Sequence, residues 1–99
     1  MIVTKTINNG KITLALEGKL SVTTSSQLHE VIEEALDEGV EVALDFTKLS
    51  YISSAGLWVL FVCDNAARSK GSKMVLKNIP RDIMNIICVG GFRETFTFE

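Results

Sequence analysis

The sequence has one histidine, one proline, one tryptophan and two cysteines in 99 residues, and each scarcity narrows what the chain can do. Cys63 and Cys88 stand far apart with no CxxC pair, and His29 is the sole imidazole, so a zinc site with the usual close ligand spacing cannot be assembled. Long hydrophobic runs are also lacking. The longest, Ala55 to Cys63, covers nine residues, about half of the ~20 that a membrane-spanning helix needs. Met1 leads straight into alternating residues, without the charged and apolar regions of a signal peptide. Excess charge of one sign is missing as well: ten basic and twelve acidic residues leave a net charge of −2, which supplies no overall pull toward nucleic acid or anionic membrane. Two thiols without an obvious pairing point to a reducing cytoplasm. What is present is apolar residue, 46% of the chain against 22% charged, a balance far from that of disordered chains. The length is that of one domain, residues 1–99. A domain of this size buries roughly two-thirds of its unfolded surface and folds without disulfide or metal.

Patterning gives the elements. Residues 2–7 and 11–17 alternate around Asn8-Asn9-Gly10, which predicts an antiparallel hairpin. Leu28, Val31, Ile32, Ala35 and Leu36 recur at the spacing of one helical face, giving a helix over about 24–38. Thr24 with Gln27 resembles a capping box there, and Gly39 stands where the helix should stop. Val40, Val42 and Leu44 open a strand that ends near Phe46, and a second strand follows Gly71. Between them Ser54 to about Ser69 reads as a helix. Pro80 suits the first turn of a short helix over 80–89, Gly90-Gly91 ends it, and Thr95 to Phe98 alternate as a last strand. Strand and helix in alternation argue for an α/β protein with a mostly parallel sheet, right-handed crossovers and an N-terminal β-hairpin. Charge is uneven along the chain. Residues 30–41 hold Glu30, Glu33, Glu34, Asp37, Glu38 and Glu41, and residues 68–81 hold Arg68, Lys70, Lys73, Lys77 and Arg81, which reads as two solvated faces of opposite sign.

The segment LDFTKLSYISSAGLWVLFV is the most informative. A short loop after Phe46 is expected to deliver Ser53 and Ser54 to the start of a helix, where a serine hydroxyl can cap free backbone N–H groups. Gly56 in the first turn costs up to ~1 kcal/mol against alanine, which is better explained if something must approach the backbone closely. Leu57, Leu60 and Phe61 form an inward stripe, yet Trp58, Val59 and Val62 fall elsewhere on the wheel. Either a neighbouring element covers that second face or it is kept for a partner, with Trp58 the kind of anchor interfaces favour.

Asp45-Phe46, Leu49, Ile52 and Ser53-Ser54-Ala55-Gly56-Leu57, with Gly18-Lys19-Leu20 upstream, resemble the signature of STAS domains, in particular the bacterial anti-sigma factor antagonists. The resemblance implies a β-α superhelix and a serine, here Ser54, that is phosphorylated by a partner anti-sigma factor that is itself a serine kinase. It also implies that the unphosphorylated domain holds that kinase, and that a phosphatase restores it. Ser21, Ser53, Ser54, Gly56, Trp58, Val59 and Val62 become the candidate partner-binding residues. Members usually carry acids where Ser53 and Ser21 stand, and Ala55 replaces a second hydroxyl residue. Asp45, the acid that remains, is expected to accept hydrogen bonds from the loop carrying Ser53. Many members continue into a C-terminal helix that packs on the sheet. With Glu99 ending the chain, Phe92, Phe96 and Phe98 either belong to the core or form a bare patch that favours a weak homodimer.

Other functions find less support. An enzyme would need Ser54 as nucleophile, His29 as base and Asp45 to orient it, but no GxSxG elbow is present, and His29 four places before Glu33 suits a solvated helix face. Nucleotide binding lacks a P-loop, since Val89-Gly90-Gly91-Phe92 is too short a cradle. Cys63 and Cys88 lie in apolar helices, where inert buried thiols are expected. The alternative that keeps the fold is a STAS module that binds a partner in a signalling complex without being phosphorylated. No cofactor is implied by either reading.

Overall fold

Asn9 and Gly10 both take positive φ, 51° and 76°, the two-residue turn whose twist matches the strands it joins. It connects β1 (Ile2–Asn8) to β2 (Lys11–Leu20) in antiparallel register, from Ile2↔Glu17 to Asn8↔Lys11. The chain then alternates: α1 (Val22–Asp37), β3 (Glu41–Ile52), α2 (Ser54–Ser69), β4 (Met74–Lys77), α3 (Arg81–Val89) and β5 (Thr97–Phe98). This architecture comes from a computed structural model that describes residues 1–38 and 41–99. Gly39 and Val40, read above as helix terminator and strand start, lie outside the described residues. The five strands form one sheet in the order β1-β2-β3-β4-β5, parallel after the hairpin. The expected mixed α/β architecture is therefore present.

Sequential strand order with right-handed crossovers puts successive helices on the same face of a sheet, and the core reflects this. Ile12, Leu14 and Leu16 of β2, Val42, Leu44 and Phe46 of β3, and Leu76 of β4 share one cluster with Leu28, Ile32 and Leu36 of α1, Leu60 of α2, and Ile83 and Ile87 of α3. Each such side chain stabilises the fold by about 1.5–3 kcal/mol when fully buried. The other face of the sheet carries a row of small residues in register, Thr13, Ala43, Val75 and Thr97. Beside that row Glu41 bridges Lys11 at 3.3 Å and Lys73 at 3.7 Å.

The sequence reading ended β3 near Phe46, with a loop to Ser53; the strand instead runs unbroken to Ile52. Two irregularities hide it. Ala15 pairs with Asp45 but Glu17 with Lys48, and Gly18 pairs with Leu49 but Lys19 with Tyr51, so β3 gains an extra residue twice. Each bulge breaks the alternation of period two, and the buried residues of the strand's end become Phe46, Leu49 and Ile52, three apart. The second bulge uses Gly18 at φ 110°, a conformation that L side chains rarely adopt, and Ser50 Oγ donates to the Gly18 carbonyl at 3.0 Å. β2 likewise extends past Glu17 to Leu20.

Helix ends differ in smaller ways. α1 begins at Val22, not near Thr24: Ser21 is its N-cap, and the Ser21 N–H donates to Thr24 Oγ1 at 2.8 Å. Gln27 is not the second half of a capping box, because its amide donates to the Met1 carbonyl. Pro80 caps α3 from outside, and β5 is two residues long because Phe96 belongs to a turn that starts at Phe92. The acidic and basic blocks are not two separate faces, since Asp37 at the end of α1 pairs with Lys70 at the end of α2. No helix among the described residues is long and apolar enough to cross a membrane.

Candidate docking site at two helix N-termini

The ends of β2 and β3 lie side by side. Leu20 is paired with Ile52, and the Ser53 N–H donates to the Leu20 carbonyl at 2.9 Å. The next residue on each strand, Ser21 and Ser53, is the N-cap of a helix. The positive ends of two helix dipoles therefore open next to one another, and neither helix has an acidic residue in its first turn. This edge is where the sequence placed its candidate serines, and the structure brings Ser21, Ser53 and Ser54 together.

The two serines of α2 are not equivalent. Ser53 Oγ accepts the Gly56 N–H at 3.2 Å, and its carbonyl accepts the Leu57 N–H at 3.0 Å, so Ser53 does the capping work. Ser54 is the first helical residue; it is exposed, and among the described residues its hydroxyl has no partner. At that position the N–H groups of Ser54 and Ala55 have no intrahelical acceptor, as for any first turn. A group attached to Ser54 Oγ projects from the helix end toward solvent.

Gly56 is a point of close approach, as anticipated. It is buried, and a Cβ at this position would lie 2.7 Å from Leu20 Cγ and 3.1 Å from Ile52 Cγ1. The close approach is the chain's own β2, which rests against the first turn of α2, and Gly56 offers no surface to a partner. Trp58 is exposed by 59%, one turn along from Ser54 on the same side of the helix. Val59 and Val62 are half-buried, and Val59 packs against the core. The all-round apolar character of α2 thus has two internal reasons: α1 packs along one flank, and Phe61 meets Phe92 at 5.9 Å on another. Sequence reading missed Val22 and Tyr51, exposed by 71% and 47%. Val22 follows a cap serine directly, which is the signal that could have found it.

Asp45 accepts hydrogen bonds from the segment between Phe46 and Ser53, as expected, though the donor is Thr47 in strand β3 and not Ser53 itself. Its carboxylate accepts from Thr47 N–H at 3.0 Å, Thr47 Oγ1 at 2.6 Å and the Asn78 amide at 3.3 Å, closing the first bulge of β3. Burial alone would raise its pKa, but the hydrogen bonds from Thr47 and Asn78 and the nearby Lys77 charge outweigh it and hold the carboxyl below its ordinary value. His29 pairs with Glu33 at 2.9 Å on α1, the solvated helix position expected for it. Cys63 is buried, whereas Cys88 is exposed, so only one thiol fits the buried reading: the polar side of α3 turns Cys88 outward. Phe96 is buried and stacks on Phe92 at 5.7 Å, and it meets Phe98 edge-on at 6.5 Å. The three phenylalanines form a packed group, with Phe92 and Phe98 left half-exposed.

Comparison with known proteins fits this geometry. The Bordetella bronchiseptica protein BtrV, named as an anti-sigma factor antagonist, is 28% identical over 89 residues, which is 89% of this chain and 77% of BtrV. The crystal structure of an anti-sigma factor antagonist from Thermotoga maritima superposes with a TM-score of 0.88 at 13% identity, covering 97% of this chain and 84% of that one. SpoIIAA in its unphosphorylated form superposes with a TM-score of 0.76 at 16% identity, covering 99% and 87%. The phosphorylated form of SpoIIAA, described as a Bacillus cell fate determinant, gives 0.74 at 15% identity, covering 99% and 91%. The family model described as Mlab, STAS domain, matches residues 3–97, and the chain belongs to the STAS domain family.

Proposed function

We propose that this chain is an anti-sigma factor antagonist. Unphosphorylated, it holds an anti-sigma factor serine kinase on the face around Ser54, and phosphorylation of Ser54 releases the kinase. The observation that carries the reading is the division of labour at the start of α2: Ser53 is committed to the cap, while Ser54 presents an exposed hydroxyl with no partner among the described residues. In the transfer, Ser54 Oγ attacks the γ-phosphorus of ATP held by the kinase. The Oγ–P bond forms, the bond to the ADP oxygen breaks, and the hydroxyl proton passes to a base of the kinase. The chain itself supplies the acceptor and the docking face, in keeping with relatives named as antagonists, not as catalysts.

The phosphate would carry about −1.5 to −2 charges. On the free chain its oxygens meet the unpaired N–H groups of the first turn and the positive end of the dipole, so the fold tolerates it. In a complex the same dianion must be desolvated against the partner. Modification at one atom thus separates the proteins with little change in the domain. Incubation with the cognate kinase and ATP, read by mass spectrometry, should place one phosphate on Ser54 and none on the Ser54→Ala variant; phosphate found elsewhere overturns the assignment.

A second reading is favoured by the hydroxyls of Ser21 and Ser53, which stand where antagonists of this type usually carry acids: a STAS module that binds its partner constitutively. Ser54→Asp separates the two. It abolishes kinase binding under the first reading and leaves binding intact under the second.

A further inference from the structure

The sequence treats Val89-Gly90-Gly91-Phe92 as no more than the end of a helix, but the fold returns this turn to the first turn of α2. A Cβ on Gly90 would lie 3.3 Å from the Phe92 ring and 3.4 Å from Leu57 Cδ1. Ser54, Trp58 and Phe61 follow one another at i, i+4 and i+7, a single stripe of α2. Along it Trp58 lies 5.3 Å from Phe61, and Phe61 lies 5.9 Å from Phe92. Val89, next to Gly90, is exposed by 89% and Ile86 by 36%. One exposed apolar side chain calls for no explanation, whereas Trp58 on one side and Val89 and Ile86 on the other flank the half-buried Phe61 and Phe92 beside a docking residue, and a group of that kind does.

We propose that the docking face extends from α2 across Phe92 onto the end of α3, with Val89 and Trp58 as its two outer anchors. The partner that engages Ser54 covers this extension with an uncharged, apolar surface of its own. The inference rests on the reading of Ser54 as a docking residue. Its occupant follows from continuity with that residue and from chemistry: Trp58, Phe61, Val89 and Phe92 are apolar, with the exposed Arg93 next to Phe92 as the nearest charge in sequence, so a charged partner group set over the apolar side chains would lose hydration there. The end of α3 then contributes to partner choice, although no motif residue lies on it.

The test uses the full chain and the serine kinase of the phosphorylation assay, with affinity measured by calorimetry. Val89→Asp places a charge at a solvent-facing position in the last turn of α3 and should lower the melting temperature by no more than a few degrees, roughly the cost of an anion at a helix C-terminus, while the Kd rises by about tenfold or more. Ile7→Asp introduces the same charge at another exposed apolar residue, 62% accessible and on the edge strand β1, and should leave the Kd within about twofold of wild type. Equal weakening by both variants overturns the proposal. Loss of binding by Ser54→Asp with full binding by Val89→Asp overturns the extension alone and leaves the Ser54 reading standing. If Val89→Asp instead dissolves a homodimer in sedimentation runs while the kinase still binds normally, the occupant is a second copy, and the proposal fails.

Discussion

Replacing Gly56 with alanine pits two effects of known sign against each other. In an open helix the change favours folding by about 1 kcal/mol, because glycine has the larger backbone entropy to lose. In this fold the new methyl group would lie 2.7 Å from Leu20 Cγ, 3.0 Å from Leu20 Cδ2 and 3.1 Å from Ile52 Cγ1. Leu20 is 0% exposed and Ile52 2%, so neither can swing aside into solvent, and the collision involves the branch point of Leu20, not a flexible tip. Forcing a methyl group into packing of that kind costs about 1–3 kcal/mol. With about 1 kcal/mol set against the middle of that range the steric effect wins, and Gly56→Ala should be destabilised by about 1 kcal/mol and by no more than about 2. For a domain of this length each kcal/mol lowers the melting temperature by about 4–8 °C, easily seen by circular dichroism. The sign should then reverse in a second background: with Leu20→Ala already in place the obstructing Cγ is gone, and adding Gly56→Ala should stabilise that variant. A Gly56→Ala melting temperature at or above wild type refutes the argument, as does a penalty that persists in the Leu20→Ala background.

Two other predictions concern titratable groups. Burial, helped by the negative charge of Glu33, pushes the Cys63 thiol up to about 12, while Cys88 is exposed. A thiol reagent at mildly alkaline pH should therefore modify one cysteine in the folded chain and two after denaturation, and two rapid modifications in the folded state would contradict the packing of α2. Asp45 is held below its ordinary value of 3.8, so its contribution is present above that pH and is lost as the pH falls through the folded value. Asp45→Asn should be about 1 kcal/mol less stable than wild type to urea at neutral pH, with the gap closing below about pH 4; a gap independent of pH refutes the carboxylate's role in the bulge.

The parts of this fold that could be read from the sequence are those held by local chemistry. Asn9-Gly10 specifies its turn whatever surrounds it, and α2 begins at Ser54 and ends at Ser69, as expected from its cap serine and its apolar stripe. The second half of β3 was not legible, because its two bulges exist only in register with β2. Nothing local to Thr47 or Ser50 announces that a neighbouring strand will skip a residue there. Asp45 was half legible: Thr47 lies in the segment expected to donate to it, whereas Asn78 becomes a neighbour only through the β3–β4 pairing. Gly56 was singled out correctly as a point of close approach, but the approaching atoms belong to Leu20, thirty-six positions earlier. The Val22 and Val89 exposures depend on where helices end in space, which periodicity does not report.

The order of the strands has a consequence for how the molecule comes into being. After the hairpin each new strand is added beside the one made just before it, so the growing sheet never waits for a later segment to fill a gap between earlier ones. The chain can assemble in the direction in which a ribosome delivers it, and the closure entropy for each step is that of a single helix and its two connections. By the same logic β5, two residues long and paired in the sheet with β4 alone among the described residues, follows the other four strands and is the first to come away. Fraying at that edge leaves the β2–β3 junction, and with it Ser21, Ser53 and Ser54, undisturbed.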